Sequence, residues 1–556
     1  MFRTLDCRPG HYLLLAVIWA LSCLPNLGGP TLWDIDEGLN AEAAREMLAS
    51  GNLVVPTFNY QLRSAKPVLL YWLQVASYQM FGVNEAAARF PSALAVLLAV
   101  LATYELGRAL FGLRTGLLAG VLLATSVSVL GAAHFANPDA LLLAFTTVTL
   151  AAFLRYAETG SRWWIYLAGL AAGLAVLAKG PVGLLLPGAI VFLYLVWQRQ
   201  LGRLLALPVG EAFLLFILVA APWYVWVGVE TKGQFLREFW FIHHLNRVKT
   251  PMENHHGSPL YYVVVLLVGL FPASLFMGAS VWHTGQRLWQ AGPDRAAVRF
   301  LFLWFAIFFA AFSIASTKLP NYILPLYPAA VLLSAWTLER WRLGEFVLPR
   351  WLVGVSVACL GLVGVGVIVA TLHLGGRIDL GIPQGWQVPA LAFWWWLGLM
   401  PLAGALACAW LLVRGSRESF LVSLLAASTA FVSFVTGGAF APLNVVKPQA
   451  PLVAMLPADQ EYREVRLGAF RYDRPTLVFY CRREVRRLEV PDQARQFLAE
   501  PLPTYLFVEE AKWKEIESQM PKGVRVLASH PDFYKNGRPV LLVANEPGHV
   551  TWLAAR

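Results

Sequence analysis

Apolar runs of about 20 residues recur along the whole membrane portion of this chain, at 11–29, 90–110, 115–132, 138–157, 163–178, 182–198, 205–228, 259–283, 299–316, 320–338, 351–371, 391–413 and 419–440. Lipid offers no partner to an unpaired peptide group, so runs of that length are read as helices that satisfy their own backbone. Thirteen of them predict an all-α polytopic membrane domain. Only 14% of the residues are charged and 58% are apolar, against about 25% charged in soluble domains, which excludes a soluble enzyme. The net charge of +11 is not a nucleic-acid stripe. Most of the basic residues lie in short loops between runs, as topological anchors do. Arg3 and Arg8 precede the first run as in a signal peptide, but no small-x-small cleavage site follows, so an uncleaved first helix is expected. Four of the cysteines, Cys7, Cys23, Cys359 and Cys408, fall in or beside runs and only Cys481 lies in the polar tail. Neither a disulfide framework nor a Cys-ligated metal is expected from that placement.

The arginines set the orientation. With the N-terminus inside, the inner loops collect Arg108, Arg114, Arg155, Arg162, Arg199 and Arg203, and later loops continue the pattern through Arg414 and Arg417. Outer turns hold little beyond Lys179, Lys318 and Arg377. An odd number of spans then puts the tail on the opposite face. Residues 1–441 are read as the membrane domain, with a first outer loop at 30–89, and residues 442–556 as a small α/β domain outside the membrane. The tail alternates strand-like runs (TLVFYC, TYLFVEE, GVRVLAS, PVLLVAN) with polar helical stretches. No inverted repeats are found.

The first outer loop carries the chemistry. WDIDEG places Asp34, Asp36 and Glu37 directly after the first run, and RSAKP brings Arg63 and Lys66 about thirty residues later. Charges of both signs at a bilayer surface cost free energy unless they bind or process something charged. Together they suit a site that holds an anionic lipid headgroup and activates a second substrate. Locally, Asp34 followed by Glu37 reads as a capping box for a helix ending at Gly51. A second helix, from Pro67 to Gly82, is too short to span, and its Trp and Tyr residues favour the interface.

The stretch DEGLNAEAAREMLASGNLVVPTFN with AKPVLLYW behind it is followed in order by NPDALL at 137–142, LAKGPVG at 177–183, HHLNRV at 243–248 and STKLPNYILPLYP at 316–328. This ordered set resembles the GT-C superfamily of polyprenyl-phosphate-sugar glycosyltransferases. The finer likeness is to bacterial relatives of protein O-mannosyltransferases and to the lipid A aminoarabinose transferases. The resemblance implies a GT-C membrane domain in a bacterial inner membrane, with a cytoplasmic N-terminus and a periplasmic tail. It also implies transfer of a sugar, with inversion, from a polyprenyl (undecaprenyl) phosphate to an acceptor on the periplasmic side, such as lipid A.

By resemblance Asp36 is the catalytic carboxylate; its competing reading is a helix cap. Asp139 matches the second acidic position, and reads equally as an N-terminal turn residue favoured by the helix dipole. Lys66, Arg247, Tyr322 and Lys179 are the donor-phosphate candidates, Lys66 competing with a lysine that snorkels to the headgroups. Glu37, Arg63, His244, His256 and Lys318 are candidates for acceptor or phosphate contacts, although Lys179 and Lys318 read also as helix terminators. In the aminoarabinose group a Glu directly before the loop lysine is implicated in metal binding, and here that residue is Ala65. His243, His244, His255 and His256 share an outer loop with Glu253 but lack the i, i+4 spacing of a helix-borne site. No metal ligand is assigned and no cofactor is expected. Gly38, Leu39 and Arg63 stand where that group shows Arg-Tyr and an aromatic residue, which suggests a different sugar or acceptor. The expected partners are a polyprenyl-phosphate-linked sugar, a lipid or glycan acceptor and membrane lipids, with no nucleic acid. Three alternatives remain: a flippase or transporter of lipid-linked sugars, a protein or glycan O-glycosyltransferase of the same fold, and a noncatalytic subunit. A transporter would place charges mid-span and show inverted repeats.

Overall fold

The computed structural model describes residues 8–202, 208–245, 258, 260–382, 385–457 and 464–554. Helix α1 (Arg8–Cys23) leads into the first loop, where α2 (Asp36–Ser50) stops at Gly51 with a left-handed φ of 70°. Glycine adopts that conformation without the Cβ penalty, so the helix ends where the sequence predicts. Its start differs from prediction. Ile35 is the N-cap residue with no side-chain cap bond, and the Asp34 carboxylate turns away to Thr476. Helix α3 (Leu69–Phe81) is 13 residues long and exposes Leu73, Met80 and Phe81, an apolar edge fit for a bilayer interface. Helix α4 (Glu85–Phe111) opens on Asn84, whose side chain accepts the Ala87 N–H at 2.9 Å.

A hairpin absent from the sequence reading lies between α2 and α3: β1 (Thr57–Phe58) pairs antiparallel with β2 (Gln61–Leu62) around Asn59 and Tyr60. The buried Glu46 carboxylate of α2 holds it, accepting the Thr57 hydroxyl at 2.6 Å and the Tyr60 N–H at 3.1 Å.

The chain continues through α5 (Leu113–Ala124) and α6 (Val127–Ala133), a path bent by 62°, then α7 (Asp139–Thr159), α8 (Arg162–Lys179) and α9 (Val182–Trp197). Among the described residues, seven helices are long and apolar enough to cross a membrane, or up to nine if each bent pair is one span. Small residues let them approach. A Cβ on Gly169 of α8 would lie 2.4 Å from the Ala212 carbonyl of the helix Val209–Glu230. The largest buried cluster runs through α1, α4 to α7 and the helices Arg295–Ile314 and Tyr327–Leu343.

Toward the C-terminus a five-stranded sheet forms in the order β4-β3-β5-β7-β6. Its strands are β3 (Arg466–Phe470), β4 (Val485–Leu488), β5 (Thr504–Glu509), β6 (Arg525–Pro531) and β7 (Pro539–Ala544). Strands β4, β3 and β5 run parallel, whereas β7 is antiparallel to both β5 and β6. Central β5 is buried at every residue and splits its side chains by period two. Tyr505 and Phe507 join one core with Leu467, Val540 and Leu542; Leu506 and Val508 join another with Phe497 and Trp513. TLVFYC, read as a strand, is instead helical over Pro475–Cys481. The parallel pair β3 and β4 needs a crossover, and Pro475 suits the first turn of a helix.

Candidate active site

The acidic loop resolves into three carboxylates with three different fates. Glu37 is fully buried: one oxygen accepts the Ala136 N–H at 2.7 Å and Arg89 Nε at 2.9 Å, the other the Trp33 N–H and an Arg89 nitrogen, each at 2.8 Å. Arg89 spends its remaining donors on the carbonyls of Leu27, Pro30 and Thr31. A buried pair so fully bonded is structural, and Glu37, expected to contact acceptor or phosphate, pins the loop. Asn40, one turn along α2, gives Nδ2 to the Ala136 carbonyl at 3.0 Å. Through Glu37 and Asn40 the first loop grips the backbone of the turn that carries Asp139.

Asp34 is bound to Thr476, as above. Burial pushes its carboxyl up to about 6, against the Thr476 N–H and the Arg474 charge that pull it down. Asp36, between these two, is partly exposed, and among the described residues no hydrogen bond or ion pair engages its carboxylate. It lies close enough to Tyr71 to disfavour the phenolate, burial being the larger cause. Arg63 is buried, with Nε on the Tyr71 hydroxyl at 2.9 Å and a second nitrogen on Asn40 Oδ1 at 3.0 Å. Arg63, expected to touch acceptor or phosphate, is thus a brace between α2 and α3.

Around Asp139 three separate sequence motifs converge. The residue opens α7, and its N–H donates to Asn137 Oδ1 at 2.7 Å. Its carboxylate pairs with Lys179, at the end of α8, and accepts Asn321 Nδ2 at 2.6 Å. The Lys179 ammonium also sits 4.6 Å from the centroid of the Tyr322 ring. Lys179 is therefore the ion-pair partner of Asp139. Lys318 is buried and donates to the carbonyls of Ser313 at 2.6 Å and Ala315 at 3.1 Å, closing the C-terminus of the helix Arg295–Ile314. These bonds fit the sequence reading of Lys318 as a helix terminator.

Lys66 is half-buried just before Pro67. Next to it Ser64 donates to Glu238 at 2.6 Å and lies 3.4 Å from His243 Nε2. The bonds from Ser64 and Gln234 hold the Glu238 carboxyl below the ordinary carboxylate value. Arg247, His255, His256 and Glu253 lie outside the described residues, as does the His244 side chain. Ala65 supplies no ligand, and among the described residues no three His, Cys, Asp or Glu side chains converge as a metal ion requires. The described residues do not fit a metal site.

The residues that shape the site but escaped the sequence reading are Asn40, Tyr71, Arg89, Glu238 and Asn321. Two had signals: Arg89 is a charge at the edge of an apolar run, and Asn321 lies inside the KLPNY motif.

Residues 65–226 match the family model described as dolichyl-phosphate-mannose-protein mannosyltransferase. In the solved structures, ArnT from Cupriavidus metallidurans bound to undecaprenyl phosphate superposes with a TM-score of 0.77 at 23% identity, covering 96% of this chain and 97% of that one. The chain has the ArnT fold. The archaeal oligosaccharyltransferase AglB from Archaeoglobus fulgidus follows more distantly, with a TM-score of 0.52 at 13% identity over 90% of this chain and 69% of its own. Both likenesses are likenesses of fold. Among curated relatives, the undecaprenyl phosphate-α-4-amino-4-deoxy-L-arabinose arabinosyl transferase of Pseudomonas aeruginosa is 32% identical over 350 residues, 61% of this chain and 62% of that protein. The transferase of the same name from Erwinia tasmaniensis is 31% identical over 332 residues, 58% and 59% of the two chains. An uncharacterized protein of Aquifex aeolicus is 31% identical over 330 residues, 58% and 63%. The chain thus spans about three fifths of the length of these curated relatives.

Proposed function

We propose that this protein is an integral membrane glycosyltransferase that moves a sugar from undecaprenyl phosphate to an acceptor on the periplasmic side, with inversion. The observation that carries the reading is the division of labour in the acidic loop. Glu37 and Asp34 are consumed by structure, and among the described residues Asp36 alone of the three keeps its carboxylate free for a ligand. An inverting transfer needs one such carboxylate near the acceptor nucleophile. If the acceptor is a phosphate, already ionised near neutral pH, Asp36 orients it or stabilises the developing oxocarbenium rather than removing a proton. Asp139, paired with Lys179 and bonded to Asn321, stands fixed on the neighbouring turn as the second acidic group of the site. Lys66, Arg247 and Tyr322 hold the donor phosphate in this reading, and no step is routed through a metal.

Thirteen spans follow if four shorter helices, Arg8–Cys23, Arg162–Lys179, Val182–Trp197 and Tyr327–Leu343, cross together with the nine candidates. The N-terminus is then cytoplasmic, and residues 442–556 form a periplasmic α/β domain on a bacterial inner membrane. Lipid A is the acceptor that the resemblance of the ordered motifs implies. Gly38, Leu39 and Ala65 leave room for another glycan or a protein. Mass spectrometry of lipid A, glycans and glycoproteins from a deletion strain tests the function. One sugar increment should vanish from one class of molecule, and unchanged masses in all three would overturn the proposal.

A further inference from the structure

The segment just before Asp36 is held from outside the membrane domain. Asp34 Oδ1 accepts the Thr476 N–H and Oδ2 the Thr476 hydroxyl, both at 2.9 Å. The Asp34 N–H donates to the Tyr534 hydroxyl at 2.8 Å, and the Leu32 N–H to the Tyr480 hydroxyl at 2.8 Å. Tyr534 is itself fixed, because its N–H donates to Asp532, which also accepts the Tyr472 hydroxyl and faces Arg474. The contact has no slack. A Cβ on Gly38 would stand 2.5 Å from the Thr476 nitrogen, so α2 and the helix Pro475–Cys481 touch backbone to backbone. Two residues beyond Asp34, Asp36 has no tether of its own among the described residues. Its place is set by where residues 32–34 and the start of α2 are clamped.

Resting on the glycosyltransferase reading above, we propose that the C-terminal α/β unit is a positioning element of the active site: Thr476 and Tyr534 act through Asp34 to set where Asp36 stands during transfer. Neither residue touches substrate. They supply the fixed geometry on which a transfer between two bound partners depends, and a displacement of order 1 Å in such a site costs about a hundredfold in rate.

The test uses full-length Thr476→Val, Thr476→Ser, Tyr534→Phe and the Thr476→Val/Tyr534→Phe double variant, with Asp36→Asn alongside. Each is introduced into the deletion strain and also purified. Three quantities are read: glycosylated product per folded protein, affinity for undecaprenyl phosphate, and thermal midpoint in detergent. Thr476→Val keeps the side-chain volume and removes the hydroxyl donor. It should lower product about tenfold or more, while undecaprenyl phosphate affinity stays within about twofold. Thr476→Ser restores the hydroxyl and should restore product, and the double variant should fall below either single. Wild-type product from the double variant would overturn the inference. So would losses of product and affinity in step with the thermal midpoint, the mark of a role in folding alone. If Asp36→Asn forms normal product, the transferase reading fails first and takes this inference with it; if Asp36→Asn is inactive and the clamp variants are normal, only the inference fails.

Discussion

Residue type and spacing identify the acidic loop as the place of interest, but they do not rank its members. On paper Asp34 and Glu37 pair as a capping box, and the family resemblance alone singles out Asp36. What separates them is supplied from distant positions: Arg89 takes Glu37, Thr476 takes Asp34, and nothing described takes Asp36. Lys179 and Lys318 show the same limit, because a cation in a turn between apolar runs looks alike whether it awaits a phosphate, pairs with a carboxylate or closes a helix. The difference is measurable. Glu37→Gln leaves the Arg89 guanidinium buried without a counter-charge, which costs about 3–5 kcal/mol. The variant should lose that much stability, seen as a large fall in the thermal midpoint of purified protein in detergent. The metal question also lies at this scale. With Ala65 in place of a carboxylate, and among the described residues only Glu238 and His243 gathered near Ser64, chelator-treated protein should keep most of its transfer activity. Stoichiometric zinc, together with transfer that is lost to chelator and restored by added metal, would refute that.

Elements were legible where the backbone signal is local. The stop of α2 at Gly51 and the short helix α3 follow from glycine, proline and aromatic placement. TLVFYC failed because β-branched and aromatic residues mark burial as much as strand. Only the parallel pairing of β3 with β4, set by partners far along the chain, makes that run a crossover helix. The hairpin of β1 and β2 was invisible because it is two residues long on each side and hangs on the Glu46 carboxylate rather than on any periodic pattern. Gly38 looked like a departure from the aminoarabinose group. At this scale it is the space into which the helix Pro475–Cys481 fits. Gly38→Ala should therefore push the two helices apart at a cost of about 1–3 kcal/mol, read as a lowered thermal midpoint. An unchanged midpoint would mean that the contact is looser than the 2.5 Å approach implies.

For the whole molecule, composition alone placed the chain in a membrane, and the order of five motifs anticipated a fold that a 0.77 TM-score match to ArnT supports. Span number was the harder quantity. The short helices α1, α8 and α9 and the two bent pairs blur the link between apolar length and crossing, so arginine distribution carries more of the topology than hydropathy does. Reporter fusions after Arg414 and after Pro448 should report opposite sides of the membrane, and a shared side would break the count of thirteen. The most direct measurement takes Asp36→Asn, which keeps the shape of the side chain and removes its charge and basicity. The purified variant is compared with wild type for transfer and for binding of undecaprenyl phosphate. Transfer should be abolished with binding retained, whereas transfer near the wild-type level would reduce Asp36 to part of the helix start and leave the proposed chemistry without its carboxylate.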